Sequence, residues 1–326
     1  MRILTSEQIR ELDRYTIENE PISSVDLMER ASKAFVEKLN DIFPYHSSFY
    51  IICGKGNNGG DGLVIARLLA GNGTNTKVIV VEHSTNASPD HEHNLQRLRS
   101  TDGVSIHSIT ENDELPTPDP DDMVIDAILG SGLDRPVSGF LHDVIRTING
   151  WNNLVVSVDM PTGLFSEFNG NNNPKAIIKT DLCITFHSPK LAMLLADNGQ
   201  FIKQFEVVDI GLLREGEPDS PYQFVEEQEI EKLVVPRKKF SHKGTFGHAL
   251  LLAGSLGKVG AAIMAGEAVL RIGAGLLTVR CPECGLIPLQ TALPEAMCLP
   301  DPENSYLAET IKLSDYSAIG MGPGIG

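Results

Sequence analysis

No run of apolar residues in this sequence approaches the roughly 20 that a membrane-spanning helix needs. The opening Met1-Arg2-Ile3-Leu4-Thr5-Ser6-Glu7-Gln8 soon turns polar, so it lacks the apolar stretch and small-residue cleavage site of a signal peptide. A soluble, cytoplasmic protein is expected. Cysteine is scarce as well: five in 326 residues, too scattered for a disulfide framework. Cys53 and Cys183 fall in apolar, strand-like runs where buried thiols are common, which fits a reducing compartment. Cys281-Pro282-Glu283-Cys284 is a CxxC, but no second pair and no nearby histidine pair complete a zinc site, so it reads as a loop. Positive charge is in deficit, with 27 Lys and Arg against 43 Asp and Glu and a formal net charge of −16. That balance repels a phosphate backbone, and the basic cluster Arg237-Lys238-Lys239 is short enough to be a solvated linker. Nucleic acid and membrane are therefore excluded as expected partners.

What is present is the composition of a globular chain, 41% hydrophobic and 21% charged, at a length that predicts two cores. Thr5-x-x-Gln8 can form a capping box ahead of a helix carrying Ile9, Leu12 and Ile17, and after Ser24 a second helical stripe runs through Leu27, Met28, Ala31, Ala34, Phe35 and Leu39. Apolar runs at Phe49–Cys53, Val78–Val81, Met123–Leu129, Leu154–Val158, Leu182–Phe186 and Phe205–Ile210 then alternate with segments able to hold helices. This is the pattern of a parallel sheet covered on both faces. From about Gly211 to Lys243 the sequence becomes polar and broken, giving a division into a first domain at 1–215, a linker at 216–240 and a second α/β unit at 241–326. The second unit reads as strand His248–Ala253, helix Val259–Ile272, strand Leu276–Arg280 and strand Tyr316–Met321, ending in Gly322-Pro323-Gly324-Ile325-Gly326. A parallel sheet needs a crossover after that strand, so the expectation is a domain that continues further, with a small accessory domain as the alternative.

The most informative stretch joins a strand to a helix: Gly54-Lys55-Gly56-Asn57-Asn58-Gly59-Gly60-Asp61-Gly62. Gly54-x-Gly56-x-x-Gly59 matches the dinucleotide fingerprint, and Glu82 lies about twenty residues on, where a ribose-binding acid would sit. Asn57, Asn58 and Asp61 are unlike an ordinary phosphate loop, because a carboxylate beside a pyrophosphate repels it unless a cation or a substrate hydroxyl intervenes. Two further strand ends are polar: Val124-Ile125-Asp126-Ala127-Ile128-Leu129-Gly130-Ser131-Gly132-Leu133-Asp134-Arg135-Pro136 and Val158-Asp159-Met160-Pro161-Thr162-Gly163. Parallel strands end on one edge, so the Asn58 amide oxygen, the Asp126 carboxylate and the Thr162 hydroxyl can converge as oxygen ligands for a hard cation. Asp159 remains free as acid, base or hydrogen-bond partner. Either aspartate taken alone is equally a loop cap. Lys190 and His187, after the next strand, reach the same edge but read as solvated.

In this order, and with two leading helices, the segments GKGNNGGDG, VIDAILGSGLDR and VDMPTG resemble the NAD(P)H-hydrate epimerase domain through residues 1 to about 213. The resemblance implies a Rossmann-like fold that interconverts the R and S forms of hydrated NADH and NADPH (NADHX and NADPHX) with a bound potassium ion. It also implies that Asn57, Asn58, Gly59, Gly60 and Asp61, together with Gly130, Ser131, Gly132, Leu133, Asp134, Arg135 and Pro136, hold the nucleotide. Asn58, Asp126 and Thr162 would hold the potassium ion, Thr162 standing where serine is usual, and Asp159 would lie at the reacting ring. Asp159 is the expected catalytic residue, and Asp159→Ala is expected to abolish activity with the fold intact. His242–His248, Ala253–Ala262, Arg271–Val279 and Gly322–Gly326 are similar to the ribokinase-like NAD(P)H-hydrate dehydratase, which uses ADP or ATP with magnesium. There Ala261, Gly322 and Gly324 would touch the hydrated nucleotide. That family's catalytic glycine-rich segment is not found in these 326 residues, so no dehydration by this chain is expected. Self-association into a homo-oligomer is also expected, from exposed sheet edges. Two other readings stay open: a NAD-dependent oxidoreductase with Glu82 on the ribose, and a non-catalytic interaction module built on the epimerase fold.

Overall fold

A computed structural model describes residues 1–234, 236–308 and 311–325, and the chain divides into two units, Met1–Glu229 and Ile230–Gly326. The first unit opens with helices α1 (Ser6–Asn19) and α2 (Ser24–Ile42). Thr5 caps α1 in the reciprocal box its sequence predicts, and the Ser23 hydroxyl caps α2 by accepting from the Asp26 amide. Then follow β1 (Ser48–Cys53), α3 (Asn57–Gly71), β2 (Asn75–Val81), α4 (Pro89–Arg99), β3 (Val104–Ile109), β4 (Met123–Ala127), α5 (Phe140–Ile148), β5 (Val155–Val158), β6 (Thr180–Phe186), the short α6 (Leu191–Leu194) and β7 (Ile202–Val208). Helix α7 (Glu227–Leu233) spans the division between the units.

The seven strands form one sheet in the order β3-β2-β1-β4-β5-β6-β7, and every neighbouring pair is parallel. Its faces are set by the two-residue period of a strand. In β1, Phe49, Ile51 and Cys53 join the core under α1, α2 and α3, whereas Tyr50 and Ile52 join the core under α5. The chain builds outward from β1 to β3 on one side and from β4 to β7 on the other, so the order reverses between β1 and β4. A crevice opens there at the carboxyl ends of the strands. Strand β3, for which the sequence shows no apolar run, is an edge strand in which Val104, Ile106 and Ile109 are covered and Ser105, His107 and Ser108 are exposed. One-sided burial demands only alternate apolar residues.

The second unit contains β8 (His248–Leu252), α8 (Val259–Arg271), β9 (Leu276–Pro282), α9 (Leu286–Ala292), β10 (Met297–Asp301) and β11 (Ala318–Met321). Its parallel sheet has the order β10-β9-β8-β11. Leu251, Leu277, Val279 and Leu289 pack with Ala262 of α8 into a separate core. Strand β10, interrupted by Pro300, is an edge strand, the position where a residue without an N–H is tolerated. No helix of the described chain is long and apolar enough to cross a membrane.

Candidate active site

At the reversal point, β1 passes through Gly54, Lys55 and Gly56 into α3, whose first turn is capped by no side chain. The amides of that turn have no intrahelical acceptors, which makes it a place for an anion. Strand β4 runs into the Ile128–Leu133 loop, β5 into Asp159 and β6 into His187. Asp159 and His187 have φ of 62° and 65°, a left-handed conformation that costs a non-glycine residue of order 1–3 kcal/mol. Surrounding contacts must hold both. The strand ends enclose a cleft of about 420 Å³. Arg10 and Asp13 line it from α1, Asn57, Asn58 and Asp61 from α3, and Asp159, His187 and Lys190 from the segments after β5 and β6, with Ile9, Leu129, Leu133, Phe186, Ile210 and Leu212 as its apolar part.

Lys190, which its sequence context marks as a solvated residue, is 1% exposed. Its ammonium pairs with Asp159 Oδ1 and donates to Thr185 Oγ1 at 2.8 Å and the Phe186 carbonyl at 3.1 Å. Asp159 Oδ1 accepts in addition from the Thr185 hydroxyl at 3.1 Å and the Phe186 amide at 3.3 Å. A lysine is tolerated at such depth only when paired and hydrogen-bonded, and here it is both. His187 is buried too, its Nε2 lying 3.4 Å from Glu217 Oε1 without a hydrogen bond, and burial holds its imidazole below the ordinary range.

Asp13 escapes sequence reasoning altogether. Burial pushes its carboxyl up to about 6, the Asp159 charge adding to the rise and Lys190 opposing it. Burial likewise raises Asp61 well above the usual carboxylate range, with Asp159 and Asp13 adding to the effect. The available signal was an acid on the apolar stripe of α1, at the position four after Ile9 and beside Leu12.

Behind the cleft floor, Asp126 is fully buried. Its Oδ1 accepts from the Thr162 hydroxyl at 2.6 Å, and its Oδ2 from the Thr162 amide at 2.8 Å and the Ser157 hydroxyl at 2.9 Å. Burial raises its pKa and these donors counteract the rise. Asn58 Nδ2 donates to the Val158 carbonyl at 2.8 Å, while its Oδ1 is buried with no partner among the described residues. A buried carboxylate with no charged hydrogen-bond partner among the described residues, and an orphaned amide oxygen beyond the end of the neighbouring strand, have the all-oxygen character that suits a hard cation. Among the described residues there is no cluster of three His, Cys, Asp or Glu of the kind a transition metal takes. The Thr162 hydroxyl also accepts from the Leu129 amide at 2.9 Å, tying the β4 loop to the β5 loop. Thr162→Val should therefore lose about 1–3 kcal/mol in urea unfolding, because it leaves buried partners unmatched, whereas Thr162→Ser should stay close to the parent. Equal midpoints for the two variants would remove the hydroxyl from this role.

The remaining sequence-selected residues separate. Gly130, Ser131, Gly132 and Leu133 line the cleft with Asn57, Asn58, Asp61 and Asp159. Gly59 and Gly60 are buried and do not line it. Arg135 and Pro136 instead line a neighbouring cleft of about 760 Å³ with Glu82, His83 and Thr110, and Leu129 and Leu133 border both. Asp134 is exposed and lines neither cleft. Glu82 is ion-paired with Lys55 at 2.7 Å. In the second unit, the Gly322 amide bonds to the Leu252 carbonyl at 3.0 Å, and the Ser255 hydroxyl to the Gly324 carbonyl at 2.6 Å. These bonds bring the turn to the start of α8, where a Cβ on Gly324 would lie 3.4 Å from that of Ala261. Gly326 lies outside the described residues.

Residues 24–192 match the family described as YjeF-related protein N-terminus, and residues 249–326 match the family described as NAD(P)H-hydrate dehydratase. A bifunctional NAD(P)H-hydrate repair enzyme of Moorella thermoacetica is 30% identical, over 100% of this chain and 64% of its own length. The chain thus spans less than two thirds of that relative. An NAD(P)H-hydrate epimerase of Limosilactobacillus fermentum is 35% identical over 60% of this chain and 90% of its own. Among solved structures, the crystal structure of yeast ynu0, YNL200c, has a TM-score of 0.56 at 22% identity, covering 70% of this chain and 98% of that one. At that identity the likeness concerns the fold.

Proposed function

The chain belongs to the family of YjeF-related, NAD(P)H-hydrate epimerase-type proteins, and on that premise we propose that its first unit interconverts the R and S forms of NADHX and NADPHX. The observation that carries this reading is the buried Asp159–Lys190 pair, its aspartate in strained backbone, lining the same cleft as the uncapped first turn of α3.

The first-turn amides of α3 and Arg10 bind the phosphates, and the apolar part of the cleft receives the ring. At the hydrated ring carbon the C–O bond breaks, its electron pair leaving with the oxygen, which takes up a proton and departs as water. A water molecule then forms a new C–O bond at the other face and gives up a proton. No net oxidation occurs. Asp159, fixed by Lys190, Thr185 and the Phe186 amide, exchanges a proton with the oxygen. Asn58, Asp126 and Thr162 would hold the potassium ion, the orphaned Asn58 Oδ1 and the Asp126 charge fitting it. When bound, the ion supplies fixed positive charge beside the reacting groups. The Lys55–Glu82 pair weighs against the oxidoreductase reading, since it occupies the acid that would take the ribose.

For the second unit, Ala261, Gly322 and Gly324 are the proposed contacts to the hydrated nucleotide in an ADP- or ATP-dependent dehydration with magnesium. These 326 residues by themselves are assigned epimerisation without dehydration. The test is to incubate the purified chain and potassium with the isolated R form of NADPHX, and to follow the S form and NADPH by chromatography with the spontaneous rate subtracted. Accelerated appearance of S without NADPH is expected. No acceleration would move the reading to a binding module.

A further inference from the structure

We propose that Asp13 is a second proton carrier of the epimerisation, working with Asp159 from the other side of the substrate ring. This rests on the epimerase reading of the cleft. Inverting the carbon requires the hydroxyl to leave from one face and water to arrive at the opposite one. A carboxyl held in one place serves one face. Asp159 is held in place, with Oδ1 engaged by Lys190, Thr185 and the Phe186 amide at the end of β5. Asp13 reaches the same cleft from a different element, α1, and its carboxyl has no hydrogen-bond partner among the described residues. Unlike Asp61, it does not lie on α3, the helix whose first turn would receive the phosphates.

The charged groups around Asp13 are Arg10 on its own helix, Asp61 from α3, Asp159 after β5, and His187 and Lys190 after β6. Arg214 and Glu217, from the segment following β7, act on His187. The two charges that act on Asp13 most strongly are Asp159, which favours its neutral form, and Lys190, which opposes that. Burial and the Asp159 charge thus both favour a proton on Asp13. In one direction the Asp13 acid protonates the departing hydroxyl, and the C–O electron pair leaves with the water so formed. The incoming water bonds to carbon and passes its proton to the Asp159 carboxylate. The reverse direction starts from the proton on Asp159 and ends with it on Asp13, and exchange with solvent resets the pair.

The experiment uses the full chain with potassium and both isolated epimers of NADPHX. Wild-type activity comes first, because its absence would remove the epimerase reading rather than this assignment. With activity present, kcat/KM is expected to fall in both directions as pH rises through about 6, since the pair must carry one proton in either direction. Asp13→Asn is expected to lower kcat about 100-fold, with KM changed less than about threefold, and to lose that limb, while Asp13→Glu restores part of the rate. Thermal unfolding supplies an independent reading. A carboxyl whose pKa is raised on folding favours the folded state at low pH, and that contribution is lost as pH rises from the unfolded value to the folded one. Asp13→Asn should therefore melt close to wild type at pH 4 and above it at pH 7. A flat wild-type profile between pH 5 and 7.5, or an Asn variant with wild-type kcat and an intact limb, overturns the assignment.

Discussion

Asp159→Ala is expected to abolish epimerisation and to lower stability by about 3–5 kcal/mol, because it strands a buried ammonium. Lys190 is 1% exposed, and its other partners are a hydroxyl and a carbonyl, which carry no formal charge. The sequence-based expectation that this substitution leaves the fold intact is thereby revised. Asp159→Ala combined with Lys190→Met should recover most of the stability, since an apolar side chain of similar length replaces the stranded charge, but no activity. Urea unfolding of the two single variants and the double variant closes a cycle whose coupling term measures the pair. A single variant as stable as wild type would mean that the ammonium finds water or another partner. An active double variant would remove Asp159 from the chemistry.

Gly59→Ala is the second large effect expected, and two forces of opposite sign make it decisive. Gly59 lies in the first turn of α3, where alanine's helix propensity would favour the substitution by up to about 1 kcal/mol. A Cβ there would lie 1.8 Å from the Gly54 carbonyl oxygen, an overlap with main chain that no rotamer change relieves. The helix start would have to withdraw from the end of β1, which we expect to cost about 1–3 kcal/mol or more and to take the first-turn amides out of register with the cleft. Gly71→Ala, at the last turn of the same helix with nothing within 4 Å of the added carbon, should be neutral or stabilising. If both substitutions shift the urea midpoint in the same direction, propensity governs and the steric account fails.

Much of this was legible because it depends on neighbours in sequence. The capping box of Thr5 and Gln8 forms as spaced, the apolar runs become six of the seven strands of a parallel sheet, and the polar residues after β1, β4 and β5 end on a single edge. The edge strands β3 and β10 were less legible. In β3 polar residues separate the apolar ones, and in β10 the short apolar run is cut off by Pro300.

The sequence by itself determined the alternation of strands and helices, the glycine turn that lets α3 approach β1, and the collection of Asn58, Asp126, Asp159 and Thr162 at the carboxyl edge. Each follows from local periodicity, from the absence of a Cβ, or from the common polarity of parallel strands. Only the tertiary structure decided which charges work together. Lys190 meets Asp159 across β6, Asp13 enters the cleft from a helix at the opposite end of the domain's sequence, and Arg135 turns to the neighbouring cleft. A charged side chain on a helix stripe or after a strand has the same local sequence whether it is solvated or buried. Its protonation and role are set by the segments that remove water from around it, and those arrive from elsewhere in the chain.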